Sequence, residues 1–337
     1  MKRIFSFIAA CATMFALAAC QEELQQPVEE QKPVLEGIEG ELQEVTFSVN
    51  LEDKAQTKAI SDGLSATNLQ YAVYRSEEYV ASDGTTYPAG KYIPALSQGD
   101  NPKAELSNAK ITEKHTADEL KWEVVLTLAK NVKYDIVFWA YADDAPYTFY
   151  EEDAQIIVDN YTTEANDETR DAFYFCCENY AVIESDTKVE LRRPFAQINF
   201  GACDYIPYVT DLGLEVTSTI DTKCTVPNTL NVLDGTVSGA VPVDFKLADI
   251  PFKGGDEVLL SAKNAEGETI PYHWMGMNYI LAGPEATINN IHATFHYNGQ
   301  DLVFDVPNVP YKRNYKTNII GNLFTENAKF NVVVVPD

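Results

Sequence analysis

The residue best placed for covalent chemistry is Cys20. It closes the run Leu17-Ala18-Ala19-Cys20. Small side chains there fit a signal peptidase, which would cut between Ala19 and Cys20, and the Cys20 thiol takes the lipid. The other reactive side chains form no catalytic set. No GxSxG elbow, Walker loop, HExxH pair or EF-hand loop occurs. His292 and His296 are four apart, the spacing of a helical zinc pair. On a strand, four residues span about 13 Å, too far to share one ion. The acidic runs Asp143-Asp144 and Glu151-Glu152-Asp153 lack the ligand spacing of a calcium loop and read as solvated loops. Of the 6 cysteines, Cys176, Cys177, Cys203 and Cys224 lie beyond the leader and the lipid site, with no CxxC among them. Cys176 and Cys177 point to opposite faces of a strand, which disfavours a bond between them. A Cys203–Cys224 bridge and four ordinary buried thiols both remain open. No metal, cofactor or catalytic residue is expected, and the chain reads as non-enzymatic.

The elements around these residues begin with a leader. Lys2 and Arg3 precede an apolar run from Ile4 to Ala16. That run is too short to cross a bilayer, which takes about 20 apolar residues. Residues 1–19 therefore read as a lipoprotein signal peptide. Residues 20–43 are dominated by Glu and Gln and cannot bury enough apolar surface to offset the entropy of ordering. They read as a disordered acidic tether. Gln21-Glu22-Glu23, just behind Cys20, resembles the acidic signals that send lipoproteins to the surface of Bacteroidetes-type bacteria. The expected location is an outer-membrane lipid anchor, exposed at the cell surface. The net charge is −26. So acidic a chain is repelled by phosphate backbones, which excludes nucleic acid as a partner.

The rest reads as strands. Val45, Phe47, Val49 and Leu51 alternate with Thr46, Ser48 and Asn50. Leu69–Tyr74 has the same character. Trp122–Leu128, a turn at Ala129-Lys130-Asn131 and Tyr134–Tyr141 predict a hairpin rich in aromatic and β-branched residues. Val189–Phe200 predicts one extended run with Ala196, Ile198 and Phe200 on the core face. Asn298-Gly299 predicts a type I′ hairpin turn. It sets Phe295 opposite Leu302 and Ala293 opposite Phe304 on the buried face. On the other face, His296 meets Asp301 and His292 meets Asp305. Lys329–Val335 is a final Val-rich strand. Glu151–Asp171 reads as a loop with a short helix. Trp122 and Trp139 read as core; Trp274 is the better candidate of the three for an exposed sugar platform, but it too is read first as core. Many short strands and no long amphipathic helix predict an all-β protein. With 337 residues, two tandem β-sandwiches are expected, at 44–185 and 186–337.

The order of motifs carries a resemblance. After the leader and tether come Thr57-Lys58-Ala59-Ile60-Ser61-Asp62-Gly63, then Leu69-Gln70-Tyr71-Ala72-Val73-Tyr74. Tyr134-Asp135-Ile136-Val137-Phe138-Trp139-Ala140 follows, and Arg193-Pro194-Phe195-Ala196-Gln197-Ile198-Asn199 opens the second half. Tyr315-Lys316-Thr317-Asn318-Ile319-Ile320-Gly321-Asn322-Leu323-Phe324-Thr325 stands near the end. Together these resemble the fimbrillin superfamily of Bacteroidales, the lipoprotein precursors of type V pili. The resemblance implies two transthyretin-like, Greek-key sandwiches and assembly by strand exchange. A surface protease removes the lipidated N-terminal segment with the first strand, and a terminal strand of another subunit fills the groove. Mapped here, the removable strand is Val45, Phe47, Val49 and Leu51, with cleavage between Lys58 and Ala59. The donor is Phe330, Val332 and Val334. Two features depart from the pattern: the segment offers only Lys54 and Lys58 where the family favours Arg, and the sequence stops at Asp337 without a long extension. The alternative is that both terminal strands complete their own sandwiches. The implied partners are other fimbrial subunits, the membrane lipid, and a host or bacterial surface glycan or protein. The second functional reading is a non-polymerising surface glycan-binding lipoprotein.

Overall fold

The structure is a computed structural model. It describes residues 40–52, 62–97, 109–116, 119–164, 166–183, 186–204, 218–246, 259–263, 267–297, 300–322 and 330–336. Those residues form β-strands joined by turns, with three short 3-10 segments and no α-helix among them. The protein is all-β, and no described helix is long and apolar enough to cross a membrane. Cys20 and its leader, Lys58-Ala59, and the Asn298-Gly299 turn lie outside the described residues.

Two sheets sandwich the first core. One runs in the order Thr187–Leu191, Leu42–Leu51, Lys121–Ala129 and Ala109–Glu113. The facing sheet is Phe173–Ala181, Lys133–Tyr141 and Asn68–Arg75. Phe47, Trp122, Val124, Ile136 and Phe138 meet between them. The hairpin expected across Ala129-Lys130-Asn131 does not form. Lys121–Ala129 pairs with Leu42–Leu51 and Ala109–Glu113, whereas Lys133–Tyr141 pairs with Asn68–Arg75 and Phe173–Ala181. The turn instead carries the chain from one sheet to the other. Both strands hold a fully apolar face, and facing sheets let those two faces bury each other. The Tyr134 hydroxyl, itself buried, accepts from the Ala129 amide at 3.0 Å and closes the passage.

The three-stranded sheet is buried on both sides. Tyr71, Val73, Ile136 and Phe138 face the first core. Ala72, Tyr74, Val137 and Trp139 face a second. That second core is built mainly by two five-stranded sheets. One is Leu259–Lys263, Thr269–Leu281, Phe195–Ala202, Tyr315–Gly321 and Phe330–Pro336. The other is Thr162–Glu164, Val241–Lys246, Ser218–Val226, Ala286–Tyr297 and Gln300–Tyr311. In the latter the expected register holds throughout: Phe295 pairs with Leu302, Ala293 with Phe304, His296 with Asp301, and His292 with Asp305.

Strand pairing crosses position 185 in both directions. Thr187–Leu191 joins the first strand's sheet, in parallel. Tyr147–Tyr150 and Gln155–Val158 form a four-stranded sheet with Thr229–Asn231 and Val237–Ser238. The single run expected over Val189–Phe200 is in fact two strands in two sheets. Arg192, Arg193 and Pro194 separate them, and Pro194 lacks the N–H a continuing ladder needs. Asp171 holds this crossing point through a bidentate pair, at 2.6 Å to Arg193 Nε and 2.7 Å to Nη2. The guanidinium also lies 4.7 Å over the Phe173 ring.

Candidate functional site

The first strand, Leu42–Leu51, is the one that the strand-exchange expectation would remove. It starts two residues before the expected Glu44. It lies inside its sheet, antiparallel to Lys121–Ala129 on one side and parallel to Thr187–Leu191 on the other. The alternation read from sequence is its burial pattern. Val45, Phe47 and Val49 are 3%, 0% and 1% exposed, and Leu51 is half-buried. Burial of each such side chain stabilises by about 1.5–3 kcal/mol. Phe47 anchors the strand, with its ring 5.3 Å from Phe138 and 5.0 Å from Tyr180.

Polar contacts pin both ends. At the start, Lys130 reaches the Glu41 carboxylate at 2.8 Å, and its amide donates to the Glu41 carbonyl at 3.0 Å. This places the Glu41 carboxyl below its ordinary pKa, through the hydrogen bond and charge of Lys130. At the far end Glu52 accepts from Asn314 Nδ2 at 3.0 Å and faces Arg192 Nε at 3.4 Å. Gly63 then turns the chain with φ +75°. A Cβ there would meet the Phe173 ring at 2.7 Å, so only glycine fits. Without this strand, the backbones of Thr187–Leu191 and Lys121–Ala129 would flank an apolar trough floored by Phe138 and its neighbours.

The last strand, Phe330–Pro336, is the opposite case. Among the described residues it is the edge of its sheet and pairs only with Tyr315–Gly321, from Tyr315 opposite Pro336 to Gly321 opposite Phe330. Its described side chains are all half-buried. Val332 leans on the second core, and Val333 on a small cluster of Tyr272 and Ile320. The Phe330 side chain lies outside the described residues. Phe330, Val332 and Val334 repeat the two-residue spacing of Val45, Phe47 and Val49.

The remaining candidates stay apart from this pair of strands. His292 Nδ1 lies 3.0 Å from Asp305 Oδ1 on an exposed face, as the register requires. Asn290 Nδ2 donates to the same oxygen at 2.8 Å, and together these partners lower the Asp305 pKa. No metal-binding cluster occurs among the described residues. Trp122 and Trp139 are core at 2% and 1% exposure, and the Trp274 side chain lies outside the described residues. Glu151 departs from the solvated loop expected of it. It is buried and accepts from Gln70 Nε2 at 2.8 Å and from the Tyr92 hydroxyl at 2.6 Å. The acidic stretch around it is two 3-10 turns and two short strands.

All four thiols are free, so the Cys203–Cys224 bridge is not formed. Burial pushes Cys177 and Cys224 up to about 12, and Cys176 higher still. Since the thiolate is the reactive form, these three should alkylate at pH 8 more than tenfold more slowly than cysteine in the unfolded chain. Iodoacetamide labelling read by mass spectrometry, with and without urea, measures this. Equal rates would contradict the burial.

No curated protein matches the chain. Residues 39–337 match a family described as a family of unknown function (DUF6562). Among solved structures the chain is similar to the tip fimbrial protein Mfa3 from Porphyromonas gingivalis with C-terminal truncation. That likeness is at 11% identity, covering 88% of this chain and 100% of that one, with a TM-score of 0.48. It is also similar to a fimbrial assembly protein from Parabacteroides distasonis, at 11% identity, 88% and 99% coverage and a TM-score of 0.45. A fimbrial protein from Bacteroides vulgatus matches at 10% identity, 87% and 99% coverage and a TM-score of 0.41.

Proposed function

The chain belongs to the family of unknown function DUF6562, and from that premise we propose that it is a structural and adhesive subunit of a surface fimbrium, assembled by strand exchange. The precursor is lipidated at Cys20 and tethered to the outer membrane by the acidic stretch between Cys20 and the first strand. Cleavage between Lys58 and Ala59 releases the first strand with its lipid. The last strand of another subunit, through Phe330, Val332 and Val334, then enters the trough that Val45, Phe47 and Val49 vacate. The two cores, with the strands that cross between them near position 185, are the repeating body of the fibre.

One observation carries this reading. The first strand is interior with Val45, Phe47 and Val49 buried, whereas the last strand is, among the described residues, an edge held by one neighbour and half-buried. Losing the first strand leaves a site with two unpaired backbone ladders and an apolar floor. Freeing the last strand costs one ladder. Strand addition supplies main-chain hydrogen bonds for affinity and alternate pockets for side-chain choice.

The test is to nick the purified full chain within residues 53–61 and add a labelled peptide of Phe330–Pro336. The expected result is displacement of the N-terminal fragment and stable capture of the peptide by the nicked chain alone. If the nicked chain keeps its N-terminal fragment and ignores the peptide, both terminal strands merely complete their own sheets.

A further inference from the structure

Thr269–Leu281 outruns one of its partners. Phe195–Ala202 follows it from His273 to Leu281, but Leu259–Lys263 on its other side stops at His273. From Met275 to Leu281 that second side meets no strand among the described residues. Every second residue there turns its N–H and C=O outward. The uncovered backbone is nonetheless deeply buried, with Met277 0%, Tyr279 1% and Leu281 1% exposed. Buried backbone groups need partners.

A loop supplies them. The Asn166 amide donates to the Met277 carbonyl at 2.9 Å, and the Met277 amide donates back to Asn166 Oδ1 at 2.8 Å. Asn166 sits at φ +62°. Off the strand conformation, this one residue still offers the donor and the acceptor that a paired strand residue would. Four residues on, the Leu281 amide donates to the Tyr161 hydroxyl at 3.0 Å, and that hydroxyl donates to the Pro227 carbonyl at 3.1 Å. Between them the Tyr279 hydroxyl donates to Glu168 Oε2 at 3.0 Å. The loop is also stapled to itself. Asp167 Oδ1 caps Thr169 through its amide at 3.0 Å, and Arg170 Nη2 donates to the Asn160 carbonyl at 2.6 Å.

We propose that the two turns on either side of the strand Thr162–Glu164, Asn160–Tyr161 and Asn166–Asp171, form an edge guard, an autoinhibitory contact that keeps Met275–Leu281 from pairing with a strand of a second copy of this chain. A strand edge without a neighbouring strand is a template for association. The guard occupies that ladder with side-chain and turn groups that cannot themselves propagate a sheet. Its purpose rests on the strand-exchange reading, because it would confine strand addition to the first-strand trough. Its existence rests on the Asn166 and Tyr161 contacts alone.

The test is the full chain carrying Asn166→Gly and Tyr161→Phe. Glycine keeps the left-handed backbone without steric cost and removes only the Oδ1 acceptor. Hydrogen exchange should rise at least tenfold at the Met277 and Leu281 amides while the first strand keeps its protection. Sedimentation should show concentration-dependent self-association that wild type lacks. Wild-type exchange at both amides, or faster exchange with a chain that stays monomeric, would overturn the guard. If first-strand amides also lose protection, the double variant has unfolded, and Asn166→Gly alone decides through the same two readouts. Peptide capture after nicking is independent of both, so a failure of strand exchange is seen separately.

Discussion

Phe47→Ala should destabilise the protein by about 3–5 kcal/mol, the range for an aromatic removed from a closed core. Val334→Ala, in the last strand, should cost roughly 1 kcal/mol, because a half-buried side chain gives up less apolar area. The contrast follows from position. The Phe47 ring is fully enclosed and touches the rings of Phe138 and Tyr180. Val334 sits on an edge strand. Urea midpoints at unchanged m-value measure the difference. Similar losses for the two variants would mean that the first strand is no more embedded than the last.

Arg193→Met or Asp171→Leu alone should each cost about 3–5 kcal/mol, because either leaves one charge buried without its partner. The two side chains are 4% and 1% exposed. They meet where the chain leaves the first strand's sheet for the five-stranded one. The double variant Asp171→Leu, Arg193→Met should recover most of the loss, since a buried ion pair is often matched by apolar side chains of similar volume. Thermal or urea unfolding of the three variants gives the coupling directly. Additive losses would show that the pair does not act as a unit.

How much of this was legible in the sequence differs by element. Val45, Phe47 and Val49 alternate strictly, and a one-sided strand in sequence is a one-sided strand in space. The register expected from Asn298-Gly299 is the one that Ala286–Tyr297 and Gln300–Tyr311 adopt. Alternation does not name the sheet, however. Trp122–Leu128 and Tyr134–Tyr141 read as neighbours because they are adjacent in sequence, yet they face each other across a core. Tyr134–Ala140 held a further clue. Its nearly continuous apolar run is the pattern of a strand covered on both faces, as Val137 and Trp139 on one side and Ile136 and Phe138 on the other now show.

The candidate site was legible only in part. The first and last strands were visible, but the interior place of the first depends on Thr187–Leu191. Val189 pairs with Val49 across a gap that no local pattern spans. Glu151 read as part of a solvated loop, and nothing in the sequence singled out Asp171 or Arg193 as buried, since charged residues are mostly exposed. Their burial follows from partners brought together by the fold. Asn166 and Tyr161 lay in an acidic stretch without periodicity, where no sequence signal marks a loop that stands in for a strand.

The most direct measurement is the N-terminal residue of the protein sheared from its native cell surface, determined by mass spectrometry on each band of an unboiled detergent gel. The expected result is a start at Ala59 in a ladder of high-mass, detergent-resistant species. A chain found only as a monomer that begins at lipidated Cys20 would contradict strand-exchange assembly.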